Sequence, residues 1–410
     1  MINLRMLKLS DHAIWLAVLI LVVVGFLSIF SATNNQLDSS KSFPASYYLL
    51  KQFGSLIVGL IGMAFFAYID YAKLQKFVTP LYIFMGLLLL FVLFHGSVAY
   101  GAQRWISIGP LSFQPSEITK LIIIISLATF LSLKQGKSNI LLSLLIVGIP
   151  FLLIFKQPDL GTALVVFAIG LGMVLWDRGS MPMVITLLTP IISLVLRPNI
   201  YIWIFYILIL FLIIYLMRLS LYQVIVIMAL NIGVGIAMPF IWGLLKEYQK
   251  MRIISFINPN LDPHGAGYHT LQSILAVGSG GIFGKGFLHG TQTQLHFIPE
   301  QHSDFIFSVV TEEFGFIGSA IILYTGYILI NRIIAISEQA RDYFGKALSI
   351  GIATMLGFHF IVSAGMVLGV MPVVGIPFPF MSFGGTALIV DLILIGIVQS
   401  IAMHRRGLVF

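Results

Sequence analysis

Side chains that could do chemistry gather in two stretches of a chain that is otherwise apolar. Between Asn258 and Gly318 lie five of the nine histidines (His264, His269, His289, His296 and His302), with Asp262, Lys285, Gln292, Glu300 and Asp304. The end of this stretch, HSDFIFSVVTEE, runs into apolar sequence with the Asp304 carboxylate at its entrance. A carboxylate placed there can act as a general base for a substrate at a membrane surface, or simply cap a helix and complement its dipole. The second stretch, YGAQRWISIGPLSFQPSEITK over residues 100–120, holds Arg104, Glu117 and Lys120. Gln114-Pro115-Ser116-Glu117 reads as a helix start with proline and an acid in its first turn. Glu117 and Lys120, three residues apart, then share a helix face. Arg104 and Lys120 in one stretch, and Lys246, Lys250, Arg252 and Lys285 in or beside the other, offer charge for a shared anionic ligand.

The elements that must position these residues are membrane spans. The chain has 410 residues, of which 59% are hydrophobic and 9% charged, whereas a soluble domain carries roughly a quarter charged residues. An all-α polytopic membrane protein is the expected fold class. A span takes about 20 apolar residues, and the stretches that qualify are 13–32, 49–69, 79–97, 117–133, 139–156, 159–176, 182–197, 200–217, 220–244, 305–330, 345–370 and 383–403. Runs so long and continuous suit helices and not barrel strands. The expectation is roughly 10–12 transmembrane helices in a single domain, residues 1–410, with a large extracytoplasmic loop at 245–303.

With the N-terminus in the cytoplasm, Lys73, Lys76, Lys134, Lys137, Arg178, Arg218, Arg332, Arg341, Lys346 and the His404-Arg405-Arg406 end all fall inside, as the positive-inside rule asks. Both termini are then cytoplasmic and both chemical stretches face outward. Lys51 heads the second span, where a cation can snorkel or bind a headgroup. KQPDLGT (156–162) joins two spans almost without a loop, and a helix dipole would favour Asp159 at that start. GVMPVVGIPFPFMSFGGTALIV (369–390) has too many prolines for an uninterrupted helix. Broken backbone at membrane depth belongs where protein buries it or where it lines a wet cavity. Residues 198–217 carry no charge and read as a lipid-facing span.

Several chemistries are excluded. There is no cysteine, hence no disulfide, thiolate metal site or cysteine nucleophile. SGGIFGKG (279–286) fails as a phosphate loop, because Ser279 takes the first glycine position and Gly286 follows the lysine where Ser or Thr is required. Its glycines are expected to let a loop fold closely against helices. Neither a zinc-hydrolase histidine pair nor G-x-S-x-G is present, and no inverted repeat is visible. The net charge of +8 is read as serving lipid headgroups or an anionic substrate, not nucleic acid. No cleavable signal peptide is evident ahead of the first span.

QRW (103–105), QPSEITK (114–120), QPDLGT (157–162), DPHGAGYHTLQS (262–273), GKGFLHGTQTQLHFIPEQHSDFIFSVVTEEFGF (284–316) and PVVGIPFPFMSFGGTAL (372–388) resemble the SEDS proteins of shape, elongation, division and sporulation. The rod-shape (RodA) branch is the closest. The resemblance implies a peptidoglycan glycosyltransferase that polymerises lipid II at the outer face of the bacterial cytoplasmic membrane during elongation. It also implies a class B penicillin-binding protein as transpeptidase partner. On the same resemblance the family's essential aspartate falls on Asp304, in HSDF where the family usually has HTDF. The cavity acid and lysine fall on Glu117 and Lys120, and the loop arginine on Arg104. Lys51, Gln292, Glu300 and His302 complete the expected substrate contacts. The family has fewer spans than are counted here, so an extra helix pair is expected within 182–244.

Sugar transfer from a polyprenyl diphosphate needs a base at the acceptor hydroxyl and positive charge at the departing diphosphate, from cations or from a divalent ion such as Mg²⁺ or Mn²⁺. No other cofactor is expected. Two readings compete with the polymerase. A lipid II flippase or transporter should place ionisable residues near the midplane of several spans, whereas here they collect at the external ends, Asp391 excepted. A non-catalytic scaffold would have no use for Asp304, Glu117 and Lys120 together.

Overall fold

The computed structural model describes residues 9–34, 45–99, 102–108, 111–134, 140–179, 181–258, 266–295, 297–298 and 300–405. Lys137, Asp262, His264, His296 and Arg406, singled out above, lie outside the described residues. The chain forms two units, one of Met1–Met173 with Arg252–Phe410 and one of Val174–Met251.

In chain order the elements are α1 (His12–Thr33), α2 (Ala45–Tyr68), a 3₁₀ segment (Tyr71–Phe77), α3 (Val78–His95), strands β1 (Ser97–Ala99), β2 (Ala102–Ile108) and β3 (Leu111–Phe113), then α4 (Pro115–Lys134), α5 (Ile140–Lys156) and α6 (Leu160–Arg178). There follow α7 (Met181–Leu196), α8 (Ile200–Leu216), α9 (Leu221–Leu244), α10 (Glu247–Ile257), α11 (Ala266–Gly280), α12 (Thr291–Gln294), α13 (Ile306–Gln339), α14 (Tyr343–Val367) and α15 (Gly385–Met403). Among the described residues nine helices are long and apolar enough to cross a membrane, and Ile140–Lys156, Pro182–Leu196 and Ile200–Leu216 are shorter apolar helices. Each corresponds to one stretch expected from hydropathy. In lipid a helix satisfies its own backbone, so apolar length alone places these elements well.

The larger unit has an inner and an outer set of helices. Burial covers 72% of the apolar window of α4 and 83% of that of α15, against 17% for α2, so α4 and α15 pack inside while α2 turns one face to lipid. At one end Asp11 ties three helices together. Its carboxylate caps α1 at the backbone N–H groups of Ala13 (3.0 Å) and Ile14 (3.3 Å) and accepts two bonds from Arg332 of α13 (2.9 and 2.5 Å). The Gln399 side chain of α15 brackets the Asp11 backbone, with 2.9 Å to both its N–H and its carbonyl. Asp11→Ala removes the cap, worth about 1 kcal/mol, and orphans Arg332. A lower thermal midpoint in detergent is expected; an unchanged one would contradict this role.

One expectation is corrected. The charged segment after the tenth span was expected to be a loop from Asn331, yet α13 continues to Gln339 and the turn is confined to Ala340–Asp342. Ile333, Ile336 and Ser337 are buried, so this amphipathic end still faces the core despite its charges. The 245–303 segment, expected as one large loop between spans, carries the short helices α10, α11 and α12. Strands β1, β2 and β3, for which no strand was expected, form a three-stranded antiparallel sheet in the order β1-β2-β3, with Ile106 opposite Phe113 and Ser97 opposite Trp105.

The smaller unit contains α7, α8 and α9. Leu210, Ile214 and Ile227 form its apolar centre. Fully buried Asn231 donates to Thr189 Oγ1 and the Ile227 carbonyl, both at 2.9 Å, and accepts from Tyr206 Oη at 3.1 Å. Interhelical amide bonds of this kind are a usual fastening where all helices are equally apolar. The outward faces of α8 carry exposed Tyr201, Phe205, Leu208 and Tyr215, as a lipid-facing span should.

Candidate active site

Asp304 sits in the turn that leads into α13. The N-cap of that helix is Phe305, with no side-chain capping bond, so the carboxylate is not spent on the helix end. Glu300, at φ 51°, opens the turn and its carbonyl accepts the Ser303 N–H at 3.1 Å. The proline-rich loop between α14 and α15 clamps the turn from the other side. Ser382 Oγ donates to the Ser303 carbonyl (2.7 Å) and Phe383 N–H to the His302 carbonyl (2.9 Å). The His302 ring packs between Tyr48 and Phe383, with centroids at 4.9 and 5.5 Å. Buried Gln52, one turn beyond Tyr48 on α2, anchors the same loop by donating to the Ser382 carbonyl (3.1 Å) and accepting from Gly384 N–H (3.3 Å). Lys51 is half-buried beside it on α2.

The loop brings Gly375, at φ 74°, so near Asp304 that a Cβ there would lie 3.2 Å from Asp304 Oδ2 and 3.9 Å from Arg252 Nη1. Asp304 therefore shares one small space with a guanidinium and a stretch of bare backbone. Burial pushes its carboxyl up to about 6, with Glu300 and Asp159 adding to the rise and Arg252 and Arg104 opposing it. Arg104, on β2, donates to the Pro158 carbonyl and lies 3.8 Å from Asp159 Oδ1. Asp159 itself caps α6 through Thr162 and accepts Gln114 Nε2 (3.0 Å) and Ser116 Oγ (3.2 Å).

The pairing of Arg104 with Lys120 over one ligand is not what the structure brings together. Lys120 is 1% exposed and lies 2.7 Å from Glu117 Oε2, so its charge is already matched inside the helix core. Lys285 meets Glu312 at 2.9 Å and Lys250 meets Glu247 at 2.8 Å. Arg252, which the sequence offered only as one of several loop cations, lies near Asp304 and, with Arg104, acts on it. Glu300 is exposed and 3.8 Å from His302 Nε2.

Gln292 belongs to a third cluster that fastens the glycine-rich loop to α13. Fully buried Glu312 accepts from Lys285 Nζ, Gln292 N–H (2.9 Å), Thr293 N–H (2.9 Å) and Thr293 Oγ1 (2.8 Å). Just beyond it α13 breaks at Gly315 (φ 66°, ψ −162°). The loop pairs with the break, Lys285 N–H to the Glu312 carbonyl and Gly286 N–H to the Glu313 carbonyl, and in return Phe316 N–H to the Gly281 carbonyl. A Cβ on Gly284 would sit 2.1 Å from the Glu313 carbonyl oxygen. The glycines serve close packing, as expected. Glu312→Gln weakens the Lys285 contact and should loosen this loop, seen as faster hydrogen exchange over 281–295; unchanged exchange would contradict the clamp.

Among the described residues no group of three His, Asp or Glu side chains could hold a metal ion by itself. The donors near Asp304 are accompanied by two arginines, so no reaction step is assigned to a resident metal.

These features define a multi-pass helical membrane protein with a carboxylate–arginine site where the irregular loops meet the helix ends. The family model described as "Cell cycle protein", of FtsW, RodA and SpoVE, matches residues 11–187 and 176–407, and the chain belongs to that family. It is 35% identical over 407 residues to the peptidoglycan glycosyltransferase MrdB of Escherichia coli K12, covering 97% of this chain and 95% of that one. It is 31% identical to the peptidoglycan glycosyltransferase RodA of Treponema pallidum, covering 95% and 97%. Among solved structures, a chain of a peptidoglycan synthase complex that coordinates polymerization and crosslinking superposes with TM-score 0.74 at 27% identity, covering 97% and 99%. RodA of Thermus thermophilus gives TM-score 0.62 at 26% identity, covering 97% and 98%.

Proposed function

We propose that this chain is a peptidoglycan glycosyltransferase that polymerises lipid II at the outer face of the cytoplasmic membrane during elongation. The observation that carries this is Asp304, free of capping duty, held in a partly buried turn with Arg252 and Arg104 acting on it. In the reaction the acceptor sugar's 4-hydroxyl attacks the donor's anomeric carbon and the carbon–oxygen bond to the diphosphate breaks. Asp304 takes the hydroxyl proton, and its charge also favours an oxocarbenium-like transition state. Arg252 and Arg104 match the charge that develops on the leaving diphosphate.

The proposal is tested by glycan synthesis from labelled lipid II by the purified chain, alone and with a class B penicillin-binding protein. The partner should raise the rate. A rate indifferent to partner concentration would count against that part of the proposal. Arg252→Met should reduce the rate by about 10²–10³, the size of losing one preorganised transition-state contact; a wild-type rate would remove Arg252 from the site. The assignment also has a topology. A reporter fused at Phe283 should score as extracytoplasmic, and a cytoplasmic score would overturn the orientation. A lipid II flippase remains the second reading, favoured by one observation, the buried ionisable residues on α4, α14 and α15.

A further inference from the structure

Four ionisable side chains are buried inside the larger unit close enough to act on one another, apart from the residues that act on Asp304. Glu117 and Lys120 come from α4, His359 from α14 and Asp391 from α15, and they are 5%, 1%, 1% and 3% exposed. Lys120 acts on both His359 and Asp391, and Glu117 acts on Asp391. Asp391 also receives the backbone N–H of Phe380. Its Oδ1, and both ring nitrogens of His359, have no hydrogen-bond partner among the described residues.

The count of charges does not close. Glu117 and Lys120 neutralise each other at 2.7 Å, which leaves Asp391 as a second carboxylate with no cation of its own. An uncompensated ion at this depth is strongly disfavoured. One positive charge restores neutrality, either a proton or a metal cation. The donor set speaks for the proton. No three carboxylates or imidazoles converge among the described residues, and the adjacent Lys120 ammonium repels an added metal ion. A second cation on His359 would meet the same ammonium. Of the helices packed against α15, only α4 presents charged groups that act on Asp391.

We propose that Asp391 holds a resident proton, so that the Glu117–Lys120–Asp391 cluster is a neutral proton-binding site within the helix bundle. A protonated Asp391 gains an O–H donor for polar neighbours and leaves Lys120 bound to Glu117 alone.

The test is infrared difference spectroscopy of the full chain in lipid nanodiscs at about pH 6, where comparison with Asp391→Asn separates this carboxyl from that of Asp304. Wild type should show a protonated-carboxyl C=O band that shifts in D₂O, and Asp391→Asn, which copies the shape of the neutral acid, should lose that contribution. Lys120→Met takes the cation from Glu117, so the cluster should then hold two protons and its band contribution should grow about twofold. No such band in wild type, no loss in Asp391→Asn, or no growth in Lys120→Met would overturn the proposal. So would removal of the band by added Na⁺, which would make the site one for a metal cation.

Discussion

Replacing Asp304 with asparagine is expected to abolish glycan synthesis in a protein that still folds, inserts and binds lipid II. Asparagine keeps the shape and one acceptor oxygen but cannot take a proton, and losing a general base costs about 10²–10⁴ in rate. The rival role, capping α13, would cost about 1 kcal/mol of stability and little rate. Asp304 does not hold that position, since the N-cap is Phe305, which makes no side-chain capping bond. A variant within about threefold of the wild-type rate would leave the reaction to another base, with Glu300 the first to examine. The wild-type pH profile gives a second view. Asp304 accepts a proton only when ionised, and burial raises its carboxyl to about 6. The value of kcat/KM should therefore climb with pH through about 6 and level off above about 7; a flat profile would contradict the assignment.

Gly375→Ala should lower kcat far more than it lowers stability. At φ 74° a side chain costs about 1–2 kcal/mol, which a protein of this size can absorb. The larger effect is local. The new Cβ would lie 3.2 Å from Asp304 Oδ2, and the carboxylate must shift to relieve it. Displacing a reacting group by about 1 Å can cost about 10² in rate. Gly384→Ala is the control, because its backbone is extended at φ 179° and the nearest atom to a Cβ there is Ala387 Cβ at 3.6 Å. Thermal midpoints measured beside turnover separate the two effects. Equal turnover in the two variants would show that backbone near Asp304 does not matter.

Hydropathy found the helices because lipid leaves the backbone one solution, and their ends agree within a few residues for most of them. It could not see that α13 runs on to Gln339, where buried Ile333 and Ile336 are diluted by charges on the other face. The β2–β3 hairpin had a signal in AQRWISI followed by Gly-Pro, masked by the membrane reading of its neighbours. Asp304, Arg104, Glu117 and Lys120 were legible one by one, but not who meets whom. Lys120 and Arg252 are both cations near polar loops. Only tertiary packing decides that Lys120 turns inward to Glu117 while Arg252 comes to lie near Asp304. Gly375 was invisible as a site residue, since its role lies in an absent side chain 71 positions from Asp304 in sequence.

The most direct measurement places the purified chain in proteoliposomes with labelled lipid II in both leaflets. One preparation is followed for glycan polymer and for movement of lipid II between leaflets. The proposed function predicts polymer formed in the presence of a class B penicillin-binding protein, lost in Asp304→Asn, with lipid II movement no faster than in protein-free vesicles. Rapid movement without polymer, unaffected by Asp304→Asn, would contradict it and make the chain a transporter.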